Sequence, residues 1–108
     1  VEFNPEKMTF DTPQPLGHQG REPVDLALAD MNHDSHLDIV VLNRDDATVT
    51  VYLNLGNLSY SQPFTFPTGV KPIAMTVTDL DANGCPDVIT ADEYGNTLTF
   101  LKNIGACD

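Results

Sequence analysis

The hydrophobic positions of this chain alternate; they do not recur at a helical spacing. Val24, Leu26 and Leu28 are separated by Asp25 and Ala27, and Ile73, Met75 and Val77 by Ala74 and Thr76. A period of two marks a strand with one face turned to a core. Residues 37–42 and 87–91 are short β-rich runs, and residues 48–53 and 97–101 make a third pair of strand candidates. No stretch shows a convincing 3.6-residue period, so the pattern predicts an all-β fold.

These strands fall into two sets that superpose on a shift of 49 positions. Gly20, Pro23, Asp30, Asp38, Thr48, Thr50, Asn54 and Gly56 return as Gly69, Pro72, Asp79, Asp87, Thr97, Thr99, Asn103 and Gly105. A period near 50 is in the range of propeller blades and solenoids. Each third strand ends in Asn-x-Gly, a turn signal. A fourth strand, residues 58–66, follows the first set; Pro63 and Pro67 cannot donate to a ladder, which places it at a sheet edge. An outermost fourth strand is a feature of four-stranded propeller blades.

Met8-Thr-Phe10 with Pro13 and Pro15 resembles Leu58-Ser-Tyr60 with Pro63 and Pro67, so the N-terminus reads as another fourth strand. The expected architecture is two four-stranded antiparallel propeller-type blades, permuted so that the N-terminal strand is a blade-edge strand. Residues 1–19 would be that donated strand, 20–68 the first blade, and 69–108 a second blade lacking its fourth strand.

Between the first and second strands of each set lies an acidic loop. The first is Asp30-Met-Asn32-His-Asp34-Ser-His36-Leu-Asp38 and the second Asp79-Leu-Asp81-Ala-Asn83-Gly84-Cys85-Pro-Asp87. Both carry oxygen-bearing side chains at loop positions 1, 3, 5 and 9. Ca²⁺ takes six to eight oxygens, and a tight loop supplies them at alternate positions. One Ca²⁺ per loop, two in all, is the expectation. The net charge of −11 disfavours nucleic acid, whose phosphates need a basic face. Six of the sixteen acidic residues sit in the two loops, and their charge should strain the metal-free protein by self-repulsion. No run of about 18 apolar residues is present to insert in a membrane. Val1 at the first position fits a processed product or a segment of a longer chain.

The cysteines are Cys85 and Cys107. Composition leaves free thiols and a disulfide equally open. The third strand returns the chain to the end that holds the second loop, which favours a Cys85–Cys107 disulfide and an oxidising, extracellular setting. Asn57-Leu58-Ser59 is an N-glycosylation sequon. His18, His33 and His36 read as exposed loop histidines, and no nucleophile–base set is recognisable, so an enzyme is not expected.

Gly20-x-x-Pro23, the loop 30–38, Ile39-Val40-Val41 and Tyr52-Leu53-Asn54-Leu55-Gly56, with their second copies, resemble the FG-GAP/VCBS repeat family of calcium-binding blades. That family is known from integrin α-subunit propellers and many secreted microbial proteins. The resemblance implies that Asp30, Asn32, Asp34, Asp38 and the backbone oxygen of His36 hold the first ion. Asp79, Asp81, Asn83, Asp87 and the backbone oxygen of Cys85 would hold the second. Ser35 stands where the family has Gly; a positive φ there costs about 1–2 kcal/mol, so the first loop is expected to bind more weakly than the second.

Two blades cannot close a ring, and a bare strand edge is a template for pairing. The expected function is an extracellular or cell-surface, calcium-binding structural or adhesive module. Its partners would be copies of itself, joined by head-to-tail strand complementation into a ring or filament. The alternative is a two-blade excerpt of a larger propeller that binds glycan or protein.

Overall fold

A computed structural model of the chain describes residues 20–57 and 59–105. Among these residues nine strands follow in order: β1 (Pro23–Ala29), β2 (Asp38–Asn43), β3 (Thr48–Tyr52), β4 (Asn54–Gly56), β5 (Ser59–Tyr60), β6 (Phe64–Pro67), β7 (Pro72–Thr78), β8 (Asp87–Asp92) and β9 (Thr97–Leu101). They form antiparallel sheets of order β1-β2-β3-β6, β4-β5 and β7-β8-β9. Among the described residues there is no helix and no closed sheet. The expected N-terminal strand, His18 and Cys107 lie outside the described residues.

The 49-residue repeat is carried into the backbone. Leu26 pairs with Val41 as Met75 pairs with Thr90, and the bulge after Pro23 returns after Pro72. Left-handed residues recur in pairs: Glu22 and Lys71, His33 and Ala82, Ser35 and Gly84, Ala47 and Asn96. Ser35, at φ 71°, does adopt the conformation that its Gly84 counterpart takes at 90°.

The fourth strand departs from the sequence expectation. Residues 58–66 do not form one strand. Ser59–Tyr60 pairs with Asn54–Gly56, and only Phe64–Pro67 joins β3, at the edge as expected. Between them the Ser61 N–H donates to Leu53 O at 2.8 Å and the Ser61 hydroxyl to Gln62 O at 2.8 Å, while Pro63 has no N–H to offer. The Asn54-x-Gly56 segment is itself laddered, and the turn falls at Gly56 and Asn57, with φ of 89° and 53°.

Strand pairing defines two faces on each large sheet, because directly paired residues point the same way. Ala27, Val40, Leu42, Val49 and Val51 share one face of the first sheet. Met75, Val77, Val88 and Leu101 share the face of the second sheet that packs on it. Val40, Leu42 and Val49 are wholly buried there. Among the described residues the main apolar cluster is this face-to-face contact, with Tyr52 and Cys85 buried outside it.

Buried polar groups lock the turn side of each sheet. Asn43 donates to the Thr48 and Thr50 hydroxyls, and its counterpart Asp92 accepts from Thr90, Thr97 and Thr99. Gly20 and Gly69 pass directly over these side chains. A Cβ at Gly20 would lie 2.5 Å from Asn43 Oδ1, and one at Gly69 would overlap Asp92 Oδ2. Close approach, not φ, therefore fixes glycine at the start of each repeat.

Candidate metal centre

Each acidic loop closes a β-hairpin. Ala29 pairs with Asp38 and Thr78 with Asp87, so the last loop carboxylate faces the residue just before the first. The loop is then wound by its own side chains. Asp30 accepts the N–H groups of Asp34 (3.0 Å) and Ser35 (2.8 Å), and Asp79 those of Asn83 (3.2 Å) and Gly84 (2.9 Å). Asp34 Oδ1 accepts from His36 N–H, as Asn83 Oδ1 does from Cys85 N–H, both at 3.0 Å. Asp38 accepts Met31 N–H at 2.8 Å and Asp87 accepts Leu80 N–H at 3.0 Å.

This winding gathers Asp30, Asp34 and Asp38 in one cluster, and Asp79, Asp81 and Asp87 in the other, with one oxygen from each member within 4.8 Å of the rest. The third carboxylate changes position between the repeats. It stands at loop position 5 in the first (Asp34, with Asn32 at position 3) and at position 3 in the second (Asp81, with Asn83 at position 5). Each loop so keeps three carboxylates and one amide. The donors are all oxygens, the set a hard cation takes. Oxygens that span 4.8 Å fit around one ion whose Ca–O bonds are about 2.3–2.6 Å.

Desolvation raises the Asp30 pKa, but the Asp34 and Ser35 N–H bonds, with smaller help from the Asp34 side chain and the His33 N–H, outweigh it. Asp30 is held below its ordinary value and stays ionised. Asn32, His33 and His36 are exposed. Cys85 is buried, with Sγ 3.3 Å from Gly105 O, and no cysteine among the described residues is free.

Three residues that the sequence reading did not assign to the site belong to it. The second oxygen of Asp38 accepts Asn54 N–H at 2.7 Å, and that of Asp87 accepts Asn103 N–H at 2.8 Å. The Asn-x-Gly segments read as turns are thus the clamps on the terminal carboxylates; the constant 16-residue spacing from Asp38 to Asn54 and from Asp87 to Asn103 was the available signal. Lys102 Nζ lies 3.3 Å from Asp81 Oδ2, whereas the first repeat has Leu53 at the equivalent position.

No curated protein and no solved structure matches the chain. Residues 30–90 match the family described as FG-GAP-like repeat. That stretch covers more than half of the 108 residues, starts on the first carboxylate of one loop and runs through the other into β8; this chain belongs to the FG-GAP-like repeat family.

Proposed function

We propose that this FG-GAP repeat module takes up one Ca²⁺ in each loop and works outside the cell as a calcium-stiffened structural or adhesive unit. The convergence of three carboxylates at equivalent places in both repeats carries the reading. Asn32 and the His36 carbonyl would add ligands in the first loop, Asn83 and the Cys85 carbonyl in the second. A bound divalent ion offsets the clustered charge and ties together the two strands that flank each loop. Two ions would offset about four of the −11 charges. Calorimetry should show two Ca²⁺ per chain, and chelator should lower the melting temperature.

Assembly by strand complementation is the second part of the proposal. β6 covers the outer edge of β3, but among the described residues no strand covers that of β9. An apolar groove beside β9 is lined by Val49, Val51, Phe64, Phe66, Val88 and Leu101. Residues 1–19 of another copy, whose Met8-Thr-Phe10 and Pro13 match Leu58-Ser-Tyr60 and Pro63, would supply the missing edge strand beside that groove. Such a contact is head-to-tail and gives a ring or a filament. Removing residues 1–15 should abolish assembly, read by light scattering; undiminished assembly would refute strand donation.

The position of Cys85 supports the disulfide. Its sulfur lies 3.3 Å from the Gly105 carbonyl, and Cys107 follows two residues later, well within the chain length needed to bridge. Two alkylatable thiols in native protein would refute the pair. Asn57, exposed at φ 53°, offers its side chain for a glycan.

A further inference from the structure

The two large sheets use opposite faces to meet each other, and each has one large apolar face left over. In the first sheet the outward face carries Leu26 and Leu28, 61% and 60% exposed, beside half-buried Ile39 and Val41, with Tyr52 already buried at its β3 side. These positions correspond, 49 residues on, to Met75, Val77, Val88 and Thr90. That is the face by which the second sheet packs on the first.

In the second sheet the outward face carries Leu98 and Phe100, 75% and 51% exposed, beside half-buried Ile89 and Ala91. Their counterparts are Val49, Val51, Val40 and Leu42, the buried face of the first sheet. The exposed parts of these two faces are therefore the two halves of the contact already made inside the chain.

We propose that these faces dock on one another between copies, the Leu98–Phe100 face of one chain on the Leu26–Leu28 face of the next, repeating the internal sheet-on-sheet contact. Contiguous apolar faces of this kind mark interaction surfaces. The polar fringe agrees. Arg44 pairs with Glu93 across the internal contact at 2.6 Å, and the two occupy equivalent positions, so Glu93 of one copy meets Arg44 of the next. Lys71 pairs with Asp45 internally; at the junction their places fall to Glu22 and Tyr94, which bring no like charges together.

The backbone agrees as well. Internally, Asp25 accepts the Met75 N–H across the contact. At the junction Ala74 replaces Asp25 and has no acceptor to offer. The amide it would face, Leu26 N–H, is already held by its own Asp25 at 2.8 Å, so docking orphans no donor there.

This inference rests on the reading that copies assemble, but it invokes sheet faces and not the N-terminal strand. The test is sedimentation of the full chain in calcium with Leu26→Glu and Leu98→Glu. Both positions are exposed, so each variant should keep its fold. A buried unpaired carboxylate should weaken association about a hundredfold or more. Each variant alone should be monomeric. Mixed, they should form a 1:1 dimer, because Leu98→Glu retains an intact Leu26 face and Leu26→Glu an intact Leu98 face; recovery on mixing also proves both are folded. Self-association of either variant at wild-type strength, failure of the mixture to pair, or a wild-type chain monomeric at all concentrations would overturn face docking. Wild-type assembly that is lost on removing residues 1–15, yet indifferent to both glutamates, would overturn it while leaving strand donation standing.

Discussion

The Asp25 carboxylate reaches from the first sheet to accept the Met75 backbone N–H at 3.1 Å, while its other oxygen holds Leu26 N–H at 2.8 Å. Leu26 and Met75 are equivalent residues of the two repeats, each just past the bulge that opens its strand. A bulge frees backbone groups from the ladder, and one carboxylate satisfies both. Asp25→Ala would leave the part-buried Met75 N–H without its acceptor, while the exposed Leu26 N–H can turn to water, and should lower stability by about 1–2 kcal/mol in urea unfolding. Asp25→Asn, which keeps one acceptor oxygen, should fall between. An unchanged midpoint for Asp25→Ala would show that the bridge contributes nothing.

Lys102 stands on Asp81 in the second loop and has no counterpart in the first, where Leu53 occupies the position. A fixed ammonium competes with a cation for the same carboxylate. The pair is partly exposed, so its worth is small. Lys102→Gln should tighten calcium binding at the second loop by about two- to fivefold. Calorimetry in a chain whose first loop is silenced by Asp34→Ala isolates that site; equal affinity with and without Lys102 would contradict the competition.

Ser35 and Gly84 occupy the same left-handed position, at φ 71° and 90°. Only glycine takes this conformation without strain. Ser35→Gly should raise stability by about 1 kcal/mol and Gly84→Ser should lower it by a similar amount. Chemical denaturation of both variants checks the symmetry. Ser35 would thus weaken the first loop and Lys102 the second, by unrelated means.

Asp92 is buried against Thr90, Thr97 and Thr99. Burial raises its pKa, but the Thr99, Thr97 and Thr90 hydroxyls and the Gly69 N–H outweigh that and hold it below the ordinary value of 3.8. Its folded value is thus below its unfolded one. The stabilisation is complete above the unfolded value and is lost as pH falls through the folded one. In chelator, wild type should exceed Asp92→Asn in stability above the ordinary value of 3.8 and lose that margin as the pH falls into the acid range below it. A margin unchanged across that range would contradict the assignment.

Much of this was legible in the chain. The alternation around Leu26 and Met75 marked the first strands, and the 49-residue shift found both loops, because strand period and loop chemistry are local properties. Pro63 announced an edge, but not that Ser61 would break the strand by turning its hydrogen bonds back onto Leu53 and Gln62. Alternation shows that a strand has two faces without showing which face meets which sheet. Val49 is buried and Leu98 exposed although the sequence treats them as equals. Asp25 on Met75 and Lys102 on Asp81 are likewise tertiary contacts, with no signature in the flanking residues.

Two loops, each gathering three carboxylates, are proposed to hold one Ca²⁺ apiece. The decisive experiment is calorimetric titration of the metal-stripped chain with Ca²⁺, paired with melting curves. Two ions should bind per chain, one should be lost on Asp38→Ala and the other on Asp87→Ala, and the melting temperature should rise with calcium. No heat of binding, together with identical melting in calcium and in chelator, would contradict it.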